Sequence, residues 1–139
     1  MINDETARQC IDKMLASDQC STWLGIRLLE AGVGRAKMSL VITDNMVNGH
    51  DLCHGGIIFT LADTTFACTC NGHNQVTVAQ GCNIEFLRPA LLADTLTADG
   101  CEIKRGKTTG ICDIKITNQK QQLVALFRGK SYITTQSIL

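Results

Sequence analysis

The chain has 139 residues, 45% of them hydrophobic, enough for one domain with its own core and too few for two ordinary ones, so a single domain over residues 1–139 is expected. Thirteen Lys and Arg balance thirteen Asp and Glu; a formal net charge of zero excludes broad electrostatic binding to nucleic acid or to an anionic membrane surface. Met1-Ile2-Asn3-Asp4-Glu5-Thr6 lacks the basic and apolar segments of a signal peptide, and no apolar run approaches the roughly 18 residues of a membrane span, so a cytoplasmic protein is expected.

In chain order, Ala7, Cys10, Ile11, Met14 and Leu15 recur at helical spacing over residues 4 to 15, with Asn3 placed to accept from the first free N–H groups. From Ile26 the pattern becomes strand-like, breaks at Gly32 and Gly34, and resumes with Ala36, Met38, Leu40 and Ile42 alternating with Arg35, Lys37, Ser39 and Val41, which predicts a hairpin. Asn48-Gly49-His50-Asp51-Leu52-Cys53-His54-Gly55-Gly56 then reads as a loop running into a second helix. There Ile57, Ile58, Leu61, Ala62, Thr65, Phe66 and Cys68 or Thr69 wrap widely around the axis, as in a helix buried on most sides that ends near Asn71-Gly72. Four strand-like stretches follow: Val76 to Arg88, closed by Pro89, then Asp94 to Arg105, Thr108 to Asn118 and Leu123 to Thr134. This order predicts an α+β fold in which an antiparallel sheet wraps around a central helix, and it lacks the strand-helix alternation of a doubly wound sheet.

Eight cysteines are present without a C-x-x-C pair; Cys68, Cys82, Cys101 and Cys112 fall inside periodic apolar segments and are expected to be reduced, small core residues. His50, Cys53 and His54 match no common ligand spacing, so no metal site is expected. Cys53 beside His54 reads as an apolar thiol, because sequence neighbours rarely have the mutual geometry of a nucleophile and its base.

Chemistry concentrates at the loop-to-helix junction. Gly55 and Gly56 let backbone approach a ligand closely and leave N–H groups pointing outward, where the helix end favours a developing negative charge such as that on a carbonyl oxygen. The apolar helix that follows carries one carboxylate, Asp63.

The ordered set Asn48-Gly49-His50, Cys53-His54-Gly55-Gly56 and Leu61-Ala62-Asp63, followed by Ile84-Glu85-Phe86-Leu87-Arg88-Pro89 and Val124-Ala125-Leu126-Phe127-Arg128-Gly129-Lys130-Ser131, resembles the hotdog-fold acyl-CoA thioesterases of the phenylacetate-degradation type from about Trp23 to about Tyr132. The resemblance implies hydrolysis of a thioester between coenzyme A and an aromatic acid, phenylacetyl-CoA or a ring-hydroxylated relative, by a homotetramer of paired dimers that needs no cofactor. It assigns the Gly55 N–H to polarising the carbonyl and Asp63 to acting as general base for water or as nucleophile forming an anhydride. Asn48, His54, Gly56, Thr64, Arg88 and Arg128 are the candidate substrate-binding residues. Asn48 and His54 either hold the loop or touch substrate; Arg105, Lys107 and Lys130 are further candidates for the coenzyme A phosphates, and Phe59, Phe66 and Phe86 either wall an aromatic pocket or, as is the default at such spacing, fill the core. Distant relatives place a Ser or Thr on the facing strand to position water. The matching stretch, Val78-Ala79-Gln80-Gly81, has no hydroxyl at its centre, so Thr64, Gln80 or Asn83 would have to substitute.

Asp63 lies eight residues beyond Gly55, about 12 Å along a regular helix and roughly 80° around it. Two chains with antiparallel central helices would bring Asp63 of one to Gly55 of the other, so a homodimer with composite sites is expected. The alternatives are a non-catalytic acyl-CoA-binding hotdog module and a hotdog dehydratase or hydratase.

Overall fold

The computed structural model describes residues 1–139. Helix α1 (Asp4–Ala16) opens on the Asn3 cap, whose side chain accepts from the Thr6 N–H, and buries Ala7, Cys10 and Ile11. A short second helix, α2 (Gln19–Leu24), was not foreseen from the pattern. Asp18 caps it by accepting from the Ser21 N–H, and Gly25 at φ 83° ends it in the left-handed conformation that glycine adopts without steric cost. Both signals are visible in the sequence, but six residues are too few to show a helical period.

Strands β1 (Arg27–Gly32) and β2 (Arg35–Val41) pair antiparallel, as the alternation predicts. The loop leads into helix α3 (Gly55–Cys70), and strands β3 (Thr77–Phe86), β4 (Thr95–Arg105), β5 (Thr109–Thr117) and β6 (Leu123–Ile133) follow. All neighbours are antiparallel, and the sheet order is β1-β2-β4-β5-β6-β3. Each expected strand is shortened at one or both ends where its flanking residues enter turns.

The sheet curls around α3, which packs chiefly on β2, β4 and β5. Alternation places Met38, Leu40, Leu96, Ala98, Ile114 and Ile116 against the helix in one core with Leu61, Ala62 and Phe66. Two glycines make the close approach possible. A Cβ on Gly129 would lie 2.7 Å from the Phe66 ring, and one on Gly100 would overlap the Thr69 hydroxyl. Phe127 packs edge-on to Phe59 at 5.5 Å and tilted to Phe66 at 5.6 Å. This is the hotdog architecture expected from the sequence.

The two sheet edges differ. Helix α1 packs against β1, whereas β3 is exposed at nearly every position after Thr77, including Val78 and Phe86. A ten-residue open edge is a template for pairing with another strand. The cysteine expectation needs correction at two positions. Cys68 and Cys112 are buried, but Cys82 and Cys101 are exposed, Cys82 because it lies on this open edge and Cys101 because it faces outward from β4. All eight cysteines are free thiols.

Candidate active site

The loop before α3 is closed on itself and fastened to its surroundings. Asn48 Oδ1 accepts from the N–H groups of His50 and Leu52 at 2.8 and 3.3 Å, and Val47 bridges Cys53. The Cys53 N–H donates to Ala90 O at 2.8 Å and the His54 N–H to Met46 O at 2.7 Å. Asn48 therefore braces the loop through its side-chain oxygen.

His54 caps α3. Its Nδ1 accepts from the Gly56 N–H at 2.9 Å, which in the neutral ring leaves the proton on Nε2, and its carbonyl accepts from Ile57 and Ile58. The Gly55 N–H, in the first helical position, donates to no protein acceptor. One amide at the positive end of a sixteen-residue helix is thus left unpaired while its neighbour is tied down. It opens into a groove lined by Asn48, Leu52, Ile58, Phe86 and Arg88, where the Phe86 ring lies 3.3 Å from the position a Gly55 Cβ would take. Phe86 is half exposed there, whereas Phe59 and Phe66 pack against the core as filling.

Asp63 is half-buried on α3, and burial raises its carboxyl above the usual carboxylate range. It opens into a different groove, of about 570 Å³, between α1, α3, the start of β3 and the segment after β6. The two grooves share no lining residue. Within one chain, then, the free amide and the carboxylate face separate spaces.

The remaining candidates are distributed unevenly. Thr64 does not turn toward Asp63's groove; its hydroxyl lies 3.1 Å from that of Ser21 on α2, and Ser21 in turn bonds Asp18 at 2.7 Å. Asn83 pairs across β3 and β6 with Arg128 and borders the cleft on the outer sheet face, away from Asp63. Gln80 sits exposed at a bulge in β3. Arg88 borders the Gly55 groove and an adjoining shallow cleft that also contains Lys120. Arg128 lies on the outer sheet face, paired with Asp113 at 2.6 and 2.8 Å, a contact that lowers the Asp113 carboxyl below its usual range. Arg105 is not a free turn cation, because it bonds Glu102, Gln75 and the Cys70 carbonyl at the end of α3. Burial and the nearby Asp94 push the Cys53 thiol up to about 11, which makes it a poor source of thiolate at neutral pH.

Sequence reasoning missed the α2 contact to Thr64 and the segment after β6 that walls the Asp63 groove. Neither carries a local signal, since each depends on which distant element packs beside it. No group of three or more His, Cys, Asp or Glu side chains is arranged to hold a metal ion, and no helix is long and apolar enough to cross a membrane.

A curled antiparallel sheet around one helix, with a free amide at the helix start and a single half-buried carboxylate further along, defines a hotdog protein of the thioesterase class. The chain belongs to the thioesterase superfamily, which it matches over residues 50–125. It is similar to the acyl-coenzyme A thioesterase PaaI of Escherichia coli (strain K12), with 48% identity over 119 residues that cover 86% of this chain and 85% of that one. The solved structure of the E. coli PaaI protein from the phenylacetic acid degradation operon superimposes with a TM-score of 0.95, at 44% identity, covering 96% of this chain and 97% of that chain. The crystal structure of smu.793 from Streptococcus mutans UA159 bound to acetyl CoA matches with a TM-score of 0.78 at 28% identity, covering 81% of this chain and 90% of that one.

Proposed function

We propose that the protein hydrolyses acyl-CoA thioesters to free acid and coenzyme A, with phenylacetyl-CoA or a ring-hydroxylated phenylacetyl-CoA as substrate. One observation carries the mechanism: Gly55 presents an unpaired N–H at the start of α3, and Asp63 presents a half-buried carboxylate to a separate groove of the same chain. A thioester carbon needs both groups at once. Pairing of two chains along their open β3 edges supplies them, with the Gly55 N–H of one protomer polarising the carbonyl and the partner subunit's Asp63 acting on its carbon. A homodimer is then the smallest active unit, and two such dimers make the homotetramer.

In this arrangement the Gly55 amide and the α3 dipole stabilise the tetrahedral oxyanion, a contribution of about 3 kcal/mol for one such donor. Asp63 removes a proton from the attacking water, or adds to the carbonyl directly and is freed by hydrolysis of the anhydride. The thiolate of coenzyme A leaves in either case. His54 and Gly56 fix the geometry of the amide, Asn48 closes the loop, and Arg88 attracts the phosphate end of the substrate. Thr64 supports the site through α2, and Arg128, held by Asp113 on the outer face, meets the nucleotide only where a neighbouring subunit brings it near. Eight free thiols suit the reducing cytoplasm.

The test is coenzyme A release from a panel of phenylacetyl-, hydroxyphenylacetyl-, octanoyl- and acetyl-CoA by the wild type, Asp63→Ala and Asp63→Asn. Release that is fastest with the aromatic thioesters and lost in both variants supports the proposal. A wild type that releases no thiol from any of them refutes it. Single turnovers in labelled water test for the anhydride, because label enters the Asp63 carboxylate only when water attacks the Asp63 side of an anhydride.

A further inference from the structure

The groove at Asp63 has a direction. Asp63, Phe66, Ala67 and Cys70 all line it, and their i, i+3, i+4, i+7 spacing makes them one stripe along α3, about 10 Å from the carboxylate to Cys70. Met14 of α1 forms one wall and Val76 to Ala79 the other. Asn71 closes the floor beyond Cys70: its side chain donates to Thr77 O and accepts from the Thr77 N–H, both at 2.9 Å, so the end of α3 and the start of β3 are fixed to each other.

Across the end lies a strap, residues 136 to 138, with no helix or strand of its own. It is nevertheless held at several points. The Val76 N–H donates to Gln136 O at 2.8 Å, Asn74 Oδ1 accepts from the N–H groups of Ile138 and Leu139 at 3.1 and 2.9 Å, and Lys13 Nζ donates to Ile138 O at 2.6 Å. Asn74 adopts φ 57°, a left-handed conformation that Asn tolerates well, and this conformation accompanies its double acceptance from the strap. A segment without secondary structure that is tied to α1 and to the α3–β3 connection is a built wall.

We propose that this groove takes the acyl group of the thioester and that the strap, held by Lys13 and Asn74, is the stop that sets how long an acyl group fits. The inference rests on the hydrolytic function proposed above, because it is Asp63 that marks where the thioester carbon must sit. The acyl group then runs from the carbonyl toward Cys70, and coenzyme A leaves in the opposite direction. A groove of about 570 Å³ is of the size that holds a small ligand, and Met14, Ala67, Val76, Val78 and Ile138, lying over the buried Phe66 and Cys70, give it a lining that suits an apolar one. A ring one methylene from the carbonyl ends before the strap. A long fatty acyl chain meets it.

The experiment compares kcat/KM for phenylacetyl-, octanoyl- and dodecanoyl-CoA in the wild type and in Lys13→Ala, Asn74→Gly, Ile138→Ala and Ala67→Met. Circular dichroism and thermal melting confirm that each variant is folded, and Asn74→Gly keeps the left-handed backbone while removing the clamp. Release or trimming of the strap should raise the dodecanoyl to phenylacetyl ratio by on the order of tenfold, the scale on which a hydrophobic pocket discriminates size. Narrowing by Ala67→Met should move the ratio the other way. Ratios that stay within about twofold of an active wild type in all four variants would overturn the stop while leaving hydrolysis intact. Unchanged ratios with an altered dimer on sedimentation would overturn it in favour of a partner segment filling the groove. A wild type inactive on every thioester overturns the hydrolytic function and the stop together.

Discussion

At the scale of single residues, the role proposed for Asp63 sets activity against stability. Burial raises its carboxyl in the folded chain above the value it has when unfolded, so between the two the native state holds more protons than the unfolded one. Stability therefore falls as pH rises through that window, and the full penalty remains at neutral pH. Asp63→Asn should melt a few degrees higher than wild type at neutral pH, with the gap closing as pH drops below the ordinary carboxylate range, while hydrolysis falls by about 10²- to 10⁴-fold. The pH profile of kcat/KM should show an acid limb displaced upward from a normal aspartate, with rate lost as pH falls through it; a limb at the ordinary value would remove Asp63 as the titrating base. His54 affects the site through the cap. His54→Ala should destabilise the fold by about 1 kcal/mol and lower kcat, and His54→Asn, which can accept from Gly56 in the same way, should restore most of both in denaturation and rate measurements. Gly55 and Asp63 were legible in the sequence because a glycine pair before an apolar helix and one carboxylate within it are local patterns. The fates of Arg105 and Thr64 were not, since Arg105 is drawn to Cys70 and Gln75, and Thr64 to Ser21, by elements distant in the chain.

At the scale of elements, the fit of α3 into the curl of the sheet depends on what the strands lack. Gly100 and Gly129 leave the space that Thr69 and Phe66 occupy, so Gly100→Ala should cost about 1–3 kcal/mol in chemical denaturation, by forcing α3 away from β4. An equal substitution at Gly49, off the strands and where a Cβ meets nothing, gives the control for this prediction. The six strands were recognisable from alternation and turn residues, to within a residue or two at the ends. Their spatial order was not, because β3 follows α3 directly yet pairs with the last strand, β6, and so becomes an edge. The exposure of Cys82 has the same origin: its local pattern is that of a half-buried strand, and edge position overrides it.

At the scale of the whole molecule, the separation of the two grooves makes a prediction that no single-chain site shares. Gly55→Pro removes the free N–H while keeping the helix, because proline is accepted at the first helical position and His54 before it is already extended at φ −60°, ψ 134°. Gly55→Pro and Asp63→Ala should each be nearly inactive alone. Unfolded together and refolded as a mixture, they should regain about a quarter of wild-type activity, since half of random dimers are mixed and each mixed dimer has one intact site. No recovery would mean that the two residues act within one chain or not at all.

The sequence by itself determined the long helices and the strands, though not the short α2, together with their order and the family, and it marked Gly55 and Asp63 as the candidate reactive pair, because hydrophobic period, caps and glycine placement act over a few neighbouring residues. Only the tertiary structure decided that the amide and the carboxylate open into different grooves, that β3 is an open edge, and that a strap tied by Lys13 and Asn74 closes the Asp63 groove. Those features are contacts between residues tens of positions apart. Their energies depend on the packing of the whole chain, which no local window contains.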